Sequence, residues 1–157
     1  MKYQIPQPLR QEHEALHGQL RLAAQAGGEV GERAQALAKL MHPHFVKEDR
    51  IALPPLGLLA ALARGDIGPE MAGVLELTDQ LQAELPAMLA EHRAIVDVLH
   101  QLRDAARRAG NAAIAEFAKQ LVQHARTEEE VMYPAAVLVG QVVRQRLGQR
   151  AVEKGRE

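Results

Sequence analysis

Ile114, Phe117, Leu121, His124, Glu128, Val131, Ala135 and Leu138 follow one another at steps of three and four residues along the last third of the chain. That spacing is the apolar stripe by which a helix packs into a bundle, yet two of its members are a histidine and a glutamate. The same interruption recurs three more times, in Leu9-His13-Leu16-Leu20, in Leu37-Leu40-His44-Glu48-Ile51 and in Leu81-Leu85-Met88-His92-Ile95-Leu99-Leu102. Four amphipathic segments each deliver one His to their apolar face, and two add a Glu one turn further on. Only a helical bundle with a polar layer across its interior accommodates such a pattern.

Glycines and prolines mark the limits of these segments. Helix A is expected from Pro8 to Ala26, where Gly27-Gly28 favour termination. Helix B starts near Glu29 and weakens at Pro54-Pro55, with apolar residues continuing to Ala63. Arg64 to Gly68 reads as a turn, and Pro69 suits the first position of helix C, which reaches Ala109 with a kink expected at Pro86. Gly110-Asn111 links it to helix D, which passes Pro134 to Leu147; residues 148–157 are expected as a solvated, fraying tail. The reading is one all-α domain over 1–157, an antiparallel up-down-up-down four-helix bundle with its core over 8–147.

The chain also repeats itself. Glu12-His13 is matched by Glu91-His92, and His44-x3-Glu48 by His124-x3-Glu128, with Pro54 and Pro134 each ten residues after the His. The displacement is 79 to 80 residues throughout, so two helix-pair halves carry one polar constellation in a pseudo-twofold arrangement.

Composition excludes several classes of function. A formal charge of −1 gives no general electrostatic reason to expect nucleic acid or an anionic membrane. No cysteine means no disulfide, thiolate zinc site, cysteine nucleophile or iron–sulfur cluster. That absence and the lack of an apolar signal core in MKYQIPQPLR fit a cytoplasmic protein. The longest apolar run, Ile51 to Ala63, is broken by Pro54, Pro55 and Gly57 and is too short to span a bilayer.

Two buried carboxylates near each other would each cost several kcal/mol uncompensated, against a domain stability of roughly 5–15 kcal/mol. No Lys or Arg occupies the stripes to pair with them. A bound cation removes the difficulty by replacing lost hydration and neutralising charge. Four imidazoles and two carboxylates exceed one tetrahedral zinc and are too nitrogen-rich for calcium or magnesium. Two metals sharing both carboxylates, with an oxo or hydroxo bridge, leave one open position each. Imidazole with carboxylate suits iron, with manganese or zinc as substitutes. Leu16, Leu20, Ile95, Leu99 and Leu121 are expected to line the pocket, which then admits small uncharged ligands rather than large substrates.

The set His13, His44-x3-Glu48, His92 and His124-x3-Glu128, with His44-Phe45 and the Glu-Glu run after His124, resembles the hemerythrin-like (HHE cation-binding) domain family over essentially the whole chain. The resemblance implies a di-iron centre held by those six residues, both Glu bridging, in an antiparallel four-helix bundle. The ligand pattern is most similar to the domain of iron-centre repair proteins. Oxygen-carrying hemerythrins carry His-x3-His on the third helix, whereas Val96 stands four residues after His92 here. The expected function is a non-haem di-iron protein that binds or reacts with oxygen, nitric oxide or peroxide in sensing, redox protection or iron-centre repair. The alternative is a passive iron-binding or iron-donating protein with an iron-accepting or redox partner.

Competing signals are weaker. His13-Glu14-Ala15-Leu16-His17 matches the HExxH pattern of zinc peptidases, but His92 repeats the role of His13 without it. His17, about 40° around the helix from His13, reads as a fifth ligand, a supporting donor or a flank residue. Glu129 reads as a solvated residue or a reserve ligand, His42 as solvent-facing, and His100 as a boundary residue.

Overall fold

The structure, a computed structural model, describes residues 3–154. Gly27 and Gly28 adopt φ of 74° and 56°, left-handed backbone that a side chain would oppose. They separate α1 (Gln7–Ala24) from α2 (Gly28–Lys47). A π-helical turn, π1 (Glu48–Ala52), a 3-10 turn (Pro54–Leu58) and the short α3 (Leu59–Ala63) continue the same arm. After a second 3-10 turn (Pro69–Gly73) comes α4 (Val74–Arg108), which runs unbroken through Pro86. The Asn111 side chain accepts the Ile114 N–H at 3.1 Å and starts α5 (Ala112–Thr127). π2 (Glu128–Met132) and α6 (Tyr133–Lys154) complete that arm. The last helix therefore extends seven residues beyond the expected end at Leu147, and of the expected tail only 155–157 lie outside the described residues.

All regular structure among the described residues is helical, and the arms form a four-helix bundle. Arg33 bonds Gln101 at 2.8 Å and Arg108 bonds Glu29 at 2.9 Å, so the start of α2 lies beside the end of α4 and the two run antiparallel. No helix among the described residues is long and apolar enough to cross a membrane.

The two π turns are the repeat made visible, since Glu48–Ala52 and Glu128–Met132 stand 80 residues apart. Each ends just before a proline, Pro54 or Pro134, whose missing N–H and bulky ring spoil ordinary helical bonding. Widening the turn places the Leu53 N–H on the Glu48 carbonyl at 3.0 Å, and the Tyr133 N–H on that of Glu128.

One extra residue per turn rotates everything downstream by about 100°. The expected stripe members Val131 and Leu138 are consequently turned outward, 59% and 55% exposed. Met132, Tyr133, Ala136 and Val139 enter the core in their place. On α2 the buried face is centred between His44 and Phe45, which leaves Leu40 exposed and brings Met41 inside.

Two apolar clusters flank the polar layer. On α4, Leu81 and Met88 belong to one, shared with Ile51, Leu53 and Met132. Ile95, Leu99 and Leu102 belong to the other, shared with Leu16, Leu20, Phe45, Phe117 and Leu121. His92 sits between them, and the five leucine and isoleucine side chains expected around the pocket all lie in this second cluster.

Candidate metal centre

His13, His44, Glu48, His92, His124 and Glu128 are all buried, none more than 6% exposed. They come from α1, α2, π1, α4, α5 and π2, so all four arms converge on one layer. The Nε2 atoms of the four rings point inward. Those of His44 and His92 lie 2.7 Å apart, and those of His13 and His124 lie 3.2 Å apart.

The two carboxylates lie among these nitrogens. Glu128 Oε1 is 2.7 Å from His124 Nε2 and 3.3 Å from His13 Nε2, while its Oε2 is 3.3 Å from His92 Nε2. One carboxylate thus reaches both histidine pairs, one oxygen to each. Glu48 Oε1 lies 3.2 Å from His44 Nε2, and its buried Oε2 has no hydrogen-bond partner. The donors form two groups, His44-Glu48-His92-Glu128 and His13-His124-Glu128, with one ligand atom from each member within 4.8 Å of the others. A buried orphan carboxylate oxygen and nitrogens facing nitrogens fit a pair of cations sharing Glu128, because a cation satisfies all of them together. The Nε2 and carboxylate donor set suits iron, manganese or zinc.

Behind the rings stand four further carboxylates. His44 Nδ1 faces Glu91 at 2.7 Å, His92 Nδ1 faces Glu129 at 2.9 Å, and His124 Nδ1 faces Glu12 at 3.2 Å. His13 Nδ1 lies 3.7 Å from Asp49, too far for a hydrogen bond. An acceptor at Nδ1 holds that proton outward and leaves the Nε2 lone pair for a cation. The arrangement follows the repeat. Glu12 and Glu91 each precede an inward His, and Asp49 and Glu129 each follow a buried Glu. Glu129 therefore supports a ring instead of joining either donor group.

Electrostatics around the donors reflect this packing. Burial works against a charged His44 ring, but Glu48 and Glu91 outweigh it and raise it to about 9. Burial likewise opposes charge on His124, and Glu128 and Glu12 raise it to about 9. Burial and the neighbouring Glu128 push Glu48 up. Glu128 goes the other way: burial alone would raise it, yet His124, His13 and His92 hold it well below the usual carboxylate range.

This sequence pattern is that of the hemerythrin HHE cation binding domain, which matches residues 4–136. The chain belongs to that family. No curated protein and no solved structure matches it. Hemerythrin-domain membership together with the buried His/Glu cluster makes this a metal-binding protein.

Other expectations resolve within this hemerythrin domain. His17 joins neither donor group; its ring packs on Phe45 with centroids 4.0 Å apart, and burial and the nearby His13 lower it. Glu14 is exposed. His42 and His100 are also exposed. A surface cleft lined by Arg10, Glu14, His17, Arg21 and Asp49 reaches His13.

Tyr133 was not visible from the stripe. Its buried hydroxyl donates to Glu48 Oε1 and lies 3.2 Å from His92 Nε2 and 3.5 Å from His44 Nε2. Burial, Glu48 and Glu128 push this phenol up. The readable signal was a tyrosine five residues after Glu128 and directly before Pro134, the proline that the repeat matches to Pro54.

Proposed function

We propose that the chain is a cytoplasmic, non-haem di-iron protein whose centre takes a small ligand (oxygen, nitric oxide or peroxide) in sensing, redox protection or repair of iron centres. The observation that carries this reading is the convergence of four Nε2 atoms and two buried carboxylates in one layer between apolar clusters. His44, His92, Glu48 and Glu128 would hold one iron, and His13, His124 and Glu128 the other. Two irons bound there would supply one-electron exchange and a place for a small ligand to bind. Glu91, Glu129 and Glu12 orient the imidazoles by accepting from Nδ1. Leu16, Leu20, Ile95, Leu99 and Leu121 exclude bulk water and bulky polar molecules on one side. The cleft at His13 offers a short route from solvent for a ligand of a few atoms.

The test begins with metal analysis of anaerobically purified protein after expression in iron-rich medium, expecting two irons per chain. Stopped-flow mixing of the reduced protein with oxygen or nitric oxide should then change its visible spectrum rapidly. Two irons that are spectrally inert to both gases and pass readily to a mild chelator would instead identify a passive iron carrier. One metal or none per chain sinks the di-iron reading.

A further inference from the structure

The two halves of the bundle match at every donor position around the centre, and differ at one further position that reaches it. The paired His and Glu donors, the supporting carboxylates and the π turns all recur at a displacement of 79 or 80 residues. Five residues after each buried Glu, and directly before each proline, stand Leu53 in one half and Tyr133 in the other. Both are buried, 0% and 1% exposed. Leu53 offers the layer nothing polar. Tyr133 brings an oxygen to the point where Glu48 Oε1, His92 Nε2 and His44 Nε2 meet.

A buried hydroxyl is satisfied by one good acceptor, and Glu48 provides it. Two inward imidazole nitrogens within 3.5 Å of the same oxygen are a further feature, because both also belong to the donor group around Glu48. An oxygen sharing its position with three of the four members of one donor group is placed as a fifth side chain of that group. The other group, around His13 and His124, has only Leu53 at the equivalent place in sequence, while the cleft reaches it through His13.

We propose that Tyr133 is a seventh protein ligand, its Oη binding the metal held by His44, His92 and Glu48, so that the two metal positions are chemically unequal. The inference rests on iron occupying the centre, as proposed above. Binding is an acid–base exchange: the phenol O–H bond breaks, an oxygen–metal bond forms, the proton passes to solvent, and no electron changes hands. The position at His44 and His92 is thereby filled by protein, and the position at His13 and His124 is left for the external ligand.

The experiment uses the full chain, iron-loaded and oxidised in air, with iron per chain measured on the same samples. Absorption and resonance Raman spectra are taken for the wild type, for Tyr133→Phe, and for wild type grown on ring-deuterated tyrosine. The expected result is a visible phenolate-to-iron charge-transfer band, with tyrosine ring modes that move on deuteration, and loss of both in Tyr133→Phe. Tyr3 is the other tyrosine of the chain and hydrogen-bonds the Glu70 carbonyl, away from the centre, so the signal reports Tyr133. Two irons per chain without deuterium-sensitive ring modes would overturn the proposal while leaving the di-iron reading intact, as would a band that survives in Tyr133→Phe. A wild type with no iron overturns both. Should Tyr133→Phe fail to fold or to hold iron, the deuterated wild type decides alone.

Discussion

Glu91 Oε2 lies 2.7 Å from His44 Nδ1, reaching from α4 to α2 across the bundle, and Lys47 fixes the other oxygen of the same carboxylate at 2.6 Å. Burial would raise the Glu91 carboxyl, but His44 and Lys47 lower it, so it is ionised and accepts from the ring. Removing such a support frees the imidazole to rotate and lowers its basicity; losses of about 10–100-fold in metal affinity are usual. Glu91→Ala should therefore bind metal more weakly by about that factor, with helicity retained, in competition titrations against a chromophoric chelator. Glu12→Ala should cost less, because Glu12 stands 3.2 Å from His124 and is about half exposed. Equal affinities in wild type and Glu91→Ala would show that the ring needs no such support.

The two buried carboxylates should respond unequally to neutralisation in chelator-treated protein. Glu48 is raised by its burial and by the charge of Glu128, so its ionised form is unfavourable there. Glu128 is held low by three histidines, and its loss strands their charge in the interior. Glu48→Gln takes one of two carboxylate partners from His44 and should lower the metal-free melting temperature modestly, whereas Glu128→Gln should lower it more, by about 3 kcal/mol or more in stability. Both variants should lose most of the stabilisation that metal confers, since binding energy is folding energy here. Thermal melts with and without metal give all four values, and a Glu48→Gln variant still fully stabilised by metal would remove Glu48 from the ligand set.

Stability of the metal-free chain should fall as pH rises from neutral. His44 and His124 are raised from 6.5 to about 9, so the folded protein holds more protons than the unfolded chain between those values. Their contribution is fully present below about 6.5 and is lost as pH climbs through about 9. A cation must displace the same protons, so metal affinity should increase across that window. Melts of chelator-treated protein from pH 6.5 to 9 check the first statement and chelator competition the second. A flat or rising melting temperature over that range would contradict the assigned charge on these rings.

The donor set was legible because each donor breaks an apolar stripe, and burying an ionisable group without purpose is unfavourable enough to stand out. The repeat made it sharper by writing the constellation twice. Tyr133 escaped because a straight 3.6-residue period carried through Pro134 points to Val131 and Leu138, and the π turn rotates both out. Proline ten residues after His44 and after His124 stands beside that turn in the sequence, but its effect on phase needs the hydrogen bonds to be seen. Glu12 and Glu91 were visible as partners in sequence of His13 and His92. In space they serve His124 and His44 on other arms, a crossing that only tertiary packing reveals.

The HExxH segment yields the last prediction. Glu14 would be the general base of a zinc peptidase if His13 and His17 shared a metal. His17 instead packs its ring on Phe45, and His13 Nε2 faces His124 and Glu128. Glu14 is exposed in the cleft and belongs to neither donor group. Glu14→Gln should keep the wild-type metal content and change stability by no more than about 0.5 kcal/mol, the usual range for a surface substitution. His13→Ala should lose metal from the His13–His124 position, and His17→Ala should not. Metal analysis of the three variants, with a fluorogenic peptide assay on zinc-loaded protein, separates the possibilities. Peptide cleavage that vanishes in Glu14→Gln would assign the segment to hydrolysis and displace His13 from the four-arm centre.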